Sequence, residues 1–118
     1  MALAYHEPFG ELSDDAREIH RALSTVIEEL EAVAWYHQRS EVSTDDALKG
    51  IMIHNRDEEI EHACMAIEWL RRNMDGWDEN LKTYLFTEVD ITSLEEGEEE
   101  AEEPGSGDLG IGKLKEEA

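Results

Sequence analysis

From Ser13 to Gln38 the apolar residues Ala16, Ile19, Leu23, Val26, Ile27, Leu30 and Val33 recur at steps of three, four and one. That is the period of an amphipathic helix with one face turned inward. Ser13 stands ahead of the run as an N-cap, with Asp14 and Asp15 where the positive end of the helix dipole favours acids. The spacing predicts a first helix over 13–38. RSEVSTDDALKG then interrupts the pattern, and Ser43 with Asp46 reads as a capping-box-like start for a second helix over 44–73. Its stripe of Leu48, Ile51, Met52, Ala63, Ala66 and Leu70 runs to RRN, with Gly76 beyond the stop. WDENLKTYLF supports a shorter third helix with Leu81, Tyr84 and Leu85 on one side. Two long helices joined by a short connection make an antiparallel hairpin, which buries a single seam.

The second stripe keeps its steps of three and four only by including Asn55, Glu59 and His62. Glu29 lies at the edge of the first stripe, one turn after Val26 and one before Val33, while Glu28 and Glu31 face further out. A carboxylate carried into a seam without a counter-charge loses several kcal/mol of solvation or stays protonated. In the plain structural reading Arg17, Arg21 or Arg39 supplies that charge. The spacing allows a second reading. Glu59 and His62 form an E-x-x-H pair, and residues three apart on a helix reach one ion from the same side. Di-iron carboxylate sites in helical bundles use one Glu from each of two helices and one E-x-x-H from each of the other two. One chain here holds half of that set, Glu29 with Glu59 and His62. Two copies about a twofold axis would supply the whole set and cover the open side of the hairpin. The expected fold is therefore all-α: a two-helix antiparallel hairpin plus a short C-terminal helix, with a ferritin-like four-helix bundle completed by dimerisation. Carboxylates gathered at such a twofold repel one another, so metal should favour the assembled form.

Composition narrows the partners. Among 118 residues, 31 Asp and Glu against 10 Lys and Arg give a formal net charge of −21. That balance argues against nucleic acid or an anionic membrane surface, and favours cations or basic protein surfaces. The one cysteine, Cys64, cannot form an intramolecular disulfide and reads as a small packing residue. MALAYHEPFG lacks a secretory pattern, no run approaches the roughly 18 apolar residues of a membrane span, and a reducing cytoplasm is the expected location. Three segments are predicted: a helical hairpin domain over 1–90, an acidic flexible linker over 91–107 and a terminal peptide over 108–118 in which Leu109, Ile111 and Leu114 return as isolated apolar residues. Such a peptide on a solvated leash reads either as fraying residues or as a linear docking motif.

EELEAVAWYHQR at 28–39, HNRDEEIEHA at 54–63, EWLRRN at 68–73, LKTYLFTE at 81–88 and the terminal GSGDLGIGKLK resemble the encapsulated ferritins, ferritin-like iron oxidases carried inside encapsulin nanocompartments. The resemblance implies a hairpin subunit assembled as a ring-shaped decamer, a pentamer of dimers, with a di-iron ferroxidase centre between two chains. Position by position it makes Glu29, Glu59 and His62 the ferroxidase ligands, and Glu28 and Glu31 a metal-access site on the route to the centre. Trp35 and Tyr36 match aromatic residues beside the centre, and His54, Glu58 and Glu61 a peripheral metal site. Iron is the implied metal, and the access and peripheral positions also suit calcium or other divalent cations. Leu109, Ile111 and Leu114 are implied to dock on the encapsulin shell, which places the protein inside a cytoplasmic nanocompartment. Each role has a plainer competitor: a solvated acidic face for Glu28, Glu31, His54, Glu58 and Glu61, and interface packing for Trp35 and Tyr36. His6, His20 and His37 have no spacing that suggests more than surface or packing roles. The functional alternatives are a non-catalytic acidic helical metal-binding or adaptor protein, and a di-iron protein acting on another substrate. The latter would normally carry both E-x-x-H motifs in one chain.

Overall fold

The computed structural model describes residues 3–95; the rest of the acidic run and the terminal peptide with Leu109, Ile111 and Leu114 lie outside the described residues. A 3-10 turn at Phe9–Glu11 precedes α1 (Asp14–Val42), α2 (Asp46–Asn73) and α3 (Trp77–Tyr84). The described chain divides into two units, the first ending at Trp77 and the second beginning at Asp78. No helix among the described residues is long and apolar enough to cross a membrane.

Ser13 caps α1 as expected, its Oγ accepting from the Ala16 N–H at 3.0 Å. The helix runs four residues past the predicted end at Gln38, to Val42. Arg39–Val42 contain no Gly or Pro to stop it, and buried Ser40 returns its hydroxyl to the His37 carbonyl at 2.8 Å. The expected Ser43–Asp46 capping box does not start α2. Asp45 is the cap instead, its Oδ1 accepting from the Leu48 N–H at 2.9 Å, so the first helical residue is Asp46. A carboxylate at the cap satisfies an orphan N–H and complements the dipole together. α2 ends at Asn73, and Gly76 beyond it takes φ 101°, the left-handed region that favours glycine.

α1 and α2 lie antiparallel, as nested contacts show: His37 meets Arg56 near the connection, and Glu29 meets His62 farther along. Val26, Ala63 and Leu70 are the buried apolar residues among those described, and Ser40, near the end of α1, is the buried polar one. Much of each predicted stripe stays open, with Leu30 51%, Leu48 50% and Ile51 56% exposed, because one neighbouring helix covers only one strip of a helix surface. Cys64, expected to pack, is exposed: it follows buried Ala63 and so turns about 100° away from the seam. Before α1 the chain folds back onto it. Tyr5 stacks on His20 at 4.0 Å, and Arg17 lies over Phe9 while donating to the Phe9 carbonyl at 2.6 Å.

Near the end of α2, Glu68 accepts from Arg71 Nε at 2.8 Å and Arg72 Nε at 2.7 Å. The Arg71 and then the Arg72 hydrogen bonds hold its carboxyl down at about 2, against an ordinary 4.5. A lowered folded value means that the contribution to stability is complete above about pH 4.5 and disappears as pH falls towards 2. A carboxyl-carbon NMR titration should find Glu68 titrating near pH 2 and, in an Arg71→Gln/Arg72→Gln variant, back in the ordinary carboxylate range.

α3 stops at Tyr84, two residues short of the segment expected to be helical. The Leu85 N–H closes on the Leu81 carbonyl at 2.9 Å, and Phe86 turns to φ 63°, which ends the helix. Leu81 and Tyr84 are half-buried and Leu85 is exposed.

Candidate metal centre

Glu29 sits at mid-length on α1, and Glu59 and His62 one turn apart on α2. The last two share a side by helix geometry, whereas Glu29 reaches them only through the packing of the hairpin. His62 Nδ1 lies 3.2 Å from Glu59 Oε1 and 3.6 Å from Glu29 Oε2. Both carboxylates are about three-quarters shielded from solvent, with 23% and 24% of the side chain exposed. Ligand atoms of all three residues lie within 4.8 Å of one another, and no other group of three or more His, Cys, Asp or Glu among the described residues meets that condition.

Hydrogen bonding between the two carboxyls is the leading influence on how each of them titrates. That bond first, then burial and the Glu59 charge, raises Glu29 above the ordinary carboxylate range. The same bond, together with His62, lowers Glu59 against the opposing effect of burial. Two carboxylates at one site oppose each other's ionisation, and a cation between them removes that opposition.

The arginines that the plain structural reading required are engaged elsewhere. Arg17 contacts Phe9 and Asp14, Arg21 contacts Glu18 at 2.8 Å, and Arg39 lies 5.5 Å over the Tyr36 ring. Two hard carboxylate oxygens and an imidazole nitrogen, partly shielded and uncompensated, suit a divalent first-row cation. Three donors leave coordination positions for further ligands.

The remaining candidates spread around this trio. Glu28 and Trp35 are exposed and Glu31 is half-buried; their spacing of three and four puts them together on the outer side of α1, away from the seam. Tyr36 is half-buried. On α2, His54 Nε2 lies 4.0 Å from Glu58 Oε2, and exposed Glu61 lines a shallow groove with Cys64, Met65, Glu68, Trp69 and Arg72. Two arrangements were missed in the sequence. The His37 Nδ1 contact with Arg56 Nη1 at 3.2 Å crosses between helices, and no local pattern signals it. Glu58 Oε1 lies 3.8 Å from His62 Nε2, which the spacing of four could have signalled.

Similar proteins extend the picture. Residues 4–88 match the EncFtn-like family model. The chain is 56% identical over 114 residues to a ferritin-like protein of Thermotoga maritima, covering 97% of this chain and all of that one. It is 50% identical over 124 residues to an encapsulated ferritin-like protein of Rhodospirillum rubrum, covering 96% of this chain and 89% of that one. A crystal structure of a Nitrosomonas europaea protein superposes with a TM-score of 0.72 at 53% identity, over 74% of this chain and 96% of the other. With the hairpin, the carboxylate-imidazole trio and identity across nearly the whole length in agreement, the chain belongs to the EncFtn-like family, the encapsulated ferritins.

Proposed function

We propose that the protein is a ferroxidase that oxidises Fe(II) to Fe(III) with dioxygen at a di-iron centre shared between two subunits. The observation that carries this reading is the convergence of Glu29, Glu59 and His62 within 4.8 Å, with the arginines of α1 turned elsewhere. Each chain contributes one half-site. A second copy facing the first doubles it to four carboxylates and two imidazoles, enough to hold two Fe(II). The same contact covers apolar residues left open on the hairpin, such as Leu30 and Ile51.

Iron is the substrate in this scheme. Carboxylate oxygens and one imidazole bind Fe(II), while Glu59, in contact with both other ligands, is placed to bridge the pair. Each carboxylate must ionise to ligate, so binding works against the influences that raise Glu29. Two Fe(II) give one electron each to one dioxygen, which takes up two protons from water and leaves as hydrogen peroxide, and Fe(III), a harder cation, remains compatible with carboxylate oxygens. A hairpin ring encloses no mineral volume, so oxidised iron passes on for storage. Glu28 and Glu31, with Trp35 alongside, are assigned to the approach of iron, Tyr36 to packing beside the centre, and His54, Glu58 and Glu61 to weak outer cation binding that calcium could share.

Stopped-flow absorbance after mixing metal-free protein with increasing Fe(II) in air tests the reading. A fast phase saturating at one iron per chain is expected. A linear, unsaturated response would leave a non-catalytic acidic helical protein.

Delivery is proposed to depend on the terminal peptide. Leu109, Ile111 and Leu114 dock an encapsulin shell from the end of the acidic tether, and the subunits form a decameric ring inside that compartment. The likeness to the encapsulated ferritin-like protein of Rhodospirillum rubrum supports the encapsulated setting. Deleting residues 108–118 should abolish co-purification with the shell on co-expression while leaving Fe(II) oxidation unchanged. Undiminished loading would remove the peptide from this role.

A further inference from the structure

Glu58 stands between two imidazoles, one turn before and one turn after it on α2. Its Oε1 lies 3.8 Å from Nε2 of His62, and its Oε2 lies 4.0 Å from Nε2 of His54. The other ring nitrogen of His62, Nδ1, faces Glu59 and Glu29. An imidazole ligates through the nitrogen that carries a lone pair, so a metal held at Nδ1 requires the ring proton on Nε2. Metal-ligating histidines characteristically donate that second N–H to a carboxylate or carbonyl, which fixes both tautomer and ring orientation.

We propose that Glu58 is a positioning residue of the metal centre, which accepts the Nε2–H of His62 and so selects the tautomer that leaves Nδ1 free for metal. The inference rests on the reading of Glu29, Glu59 and His62 as ligands. In the metal-free chain the opposite tautomer competes, because Nδ1 lies only 3.2 Å from Glu59 Oε1 and can donate to it. An acceptor on the Nε2 side offsets that competition. The Glu58 side chain is 49% exposed and free to rotate, so a change in its outer torsions closes 3.8 Å to hydrogen-bonding distance. The second oxygen faces His54, at i−4, 4.0 Å away, while Oε1 is on the His62 side. Glu58 thereby acts through His62 and touches neither iron nor dioxygen.

Zn(II), which does not change oxidation state, tests this on the full chain by calorimetric titration and side-chain nitrogen NMR of the five histidines. In the Zn(II)-loaded protein His62 should carry its proton on Nε2. Glu58→Ala should weaken the high-affinity Zn(II) event about tenfold to a hundredfold and speed exchange of the Nε2–H with water. Glu58→Gln keeps a carbonyl acceptor without the charge and should recover most of both. Equal losses in Glu58→Gln and Glu58→Ala would overturn the proposal in favour of a general charge effect. Unchanged affinity and tautomer in Glu58→Ala, with only a weaker second Zn(II) event lost, would overturn it in favour of an outer cation ligand. Glu59→Ala separates the two levels of argument: wild-type Zn(II) affinity there would overturn the ligand assignment itself, and this inference with it.

Discussion

Replacing Glu59 by alanine should abolish the saturable fast phase of Fe(II) oxidation and leave only the slow reaction of free Fe(II) in the same buffer. Glu59 influences both other members of the trio, as the leading cause of the raised Glu29 value and through its 3.2 Å approach to His62. Without it, Glu29 and His62 remain as two donors per chain. Glutamine at the same position is a demanding comparison, since it keeps the shape and one oxygen but removes the charge that a hard cation requires. Glu59→Gln should therefore lose the fast phase as well. The helical far-UV signal should be unchanged in both variants, because a half-buried carboxylate held only by its fellow site residues contributes little to the hairpin. Removing Glu59 also takes away the principal cause of the raised Glu29 value, so Glu29 should titrate nearer the ordinary carboxylate range. A Glu59→Ala protein with an undiminished, saturable fast phase would end the ferroxidase assignment of the trio.

The largest effect on stability should come from Leu70→Ala. Leu70 is 0% exposed, and truncating a buried leucine costs about 2–5 kcal/mol through lost transfer free energy and the cavity left behind. Among the described residues only Val26, Ala63 and Ser40 are also buried, so little other core can compensate. Urea unfolding should show a clearly lower midpoint, against which Leu48→Ala, half exposed within the single chain, is a useful comparison. If Leu48→Ala costs as much as Leu70→Ala, and the loss depends on protein concentration, a second copy covers that part of the stripe. An unchanged midpoint in Leu70→Ala would contradict its placement in the seam.

Local chemistry was readable along the chain wherever the interacting groups are within one turn. The periodic apolar residues identify α1 and α2, Ser13 identifies the start of α1, and Gly76 lies beyond the end of α2. The pairing of Glu59 with His62 follows from a step of three residues on any helix, so it needed no knowledge of the partner. Errors fell where local signals compete. Ser43 and Asp45 are both good caps, and the carboxylate prevailed; residues 39–42 carry no breaker, and burial of Ser40 decided in favour of helix.

Contacts between α1 and α2 depend on the tertiary structure. Whether Glu29 arrives opposite His62, or a turn away from it, depends on the register set by the three-residue connection and the seat of Val26, Ala63 and Leu70. Whether a seam carboxylate meets an arginine depends on where long side chains find better partners. Here Phe9, Glu18 and Tyr36 hold Arg17, Arg21 and Arg39. The sequence by itself determined two amphipathic helices and an acidic E-x-x-H pair, because helical geometry relates residues three and four apart without reference to anything else. Only the tertiary structure decided that Glu29 completes the trio without an arginine, because inter-helix register and the direction of long side chains arise from packing across the seam.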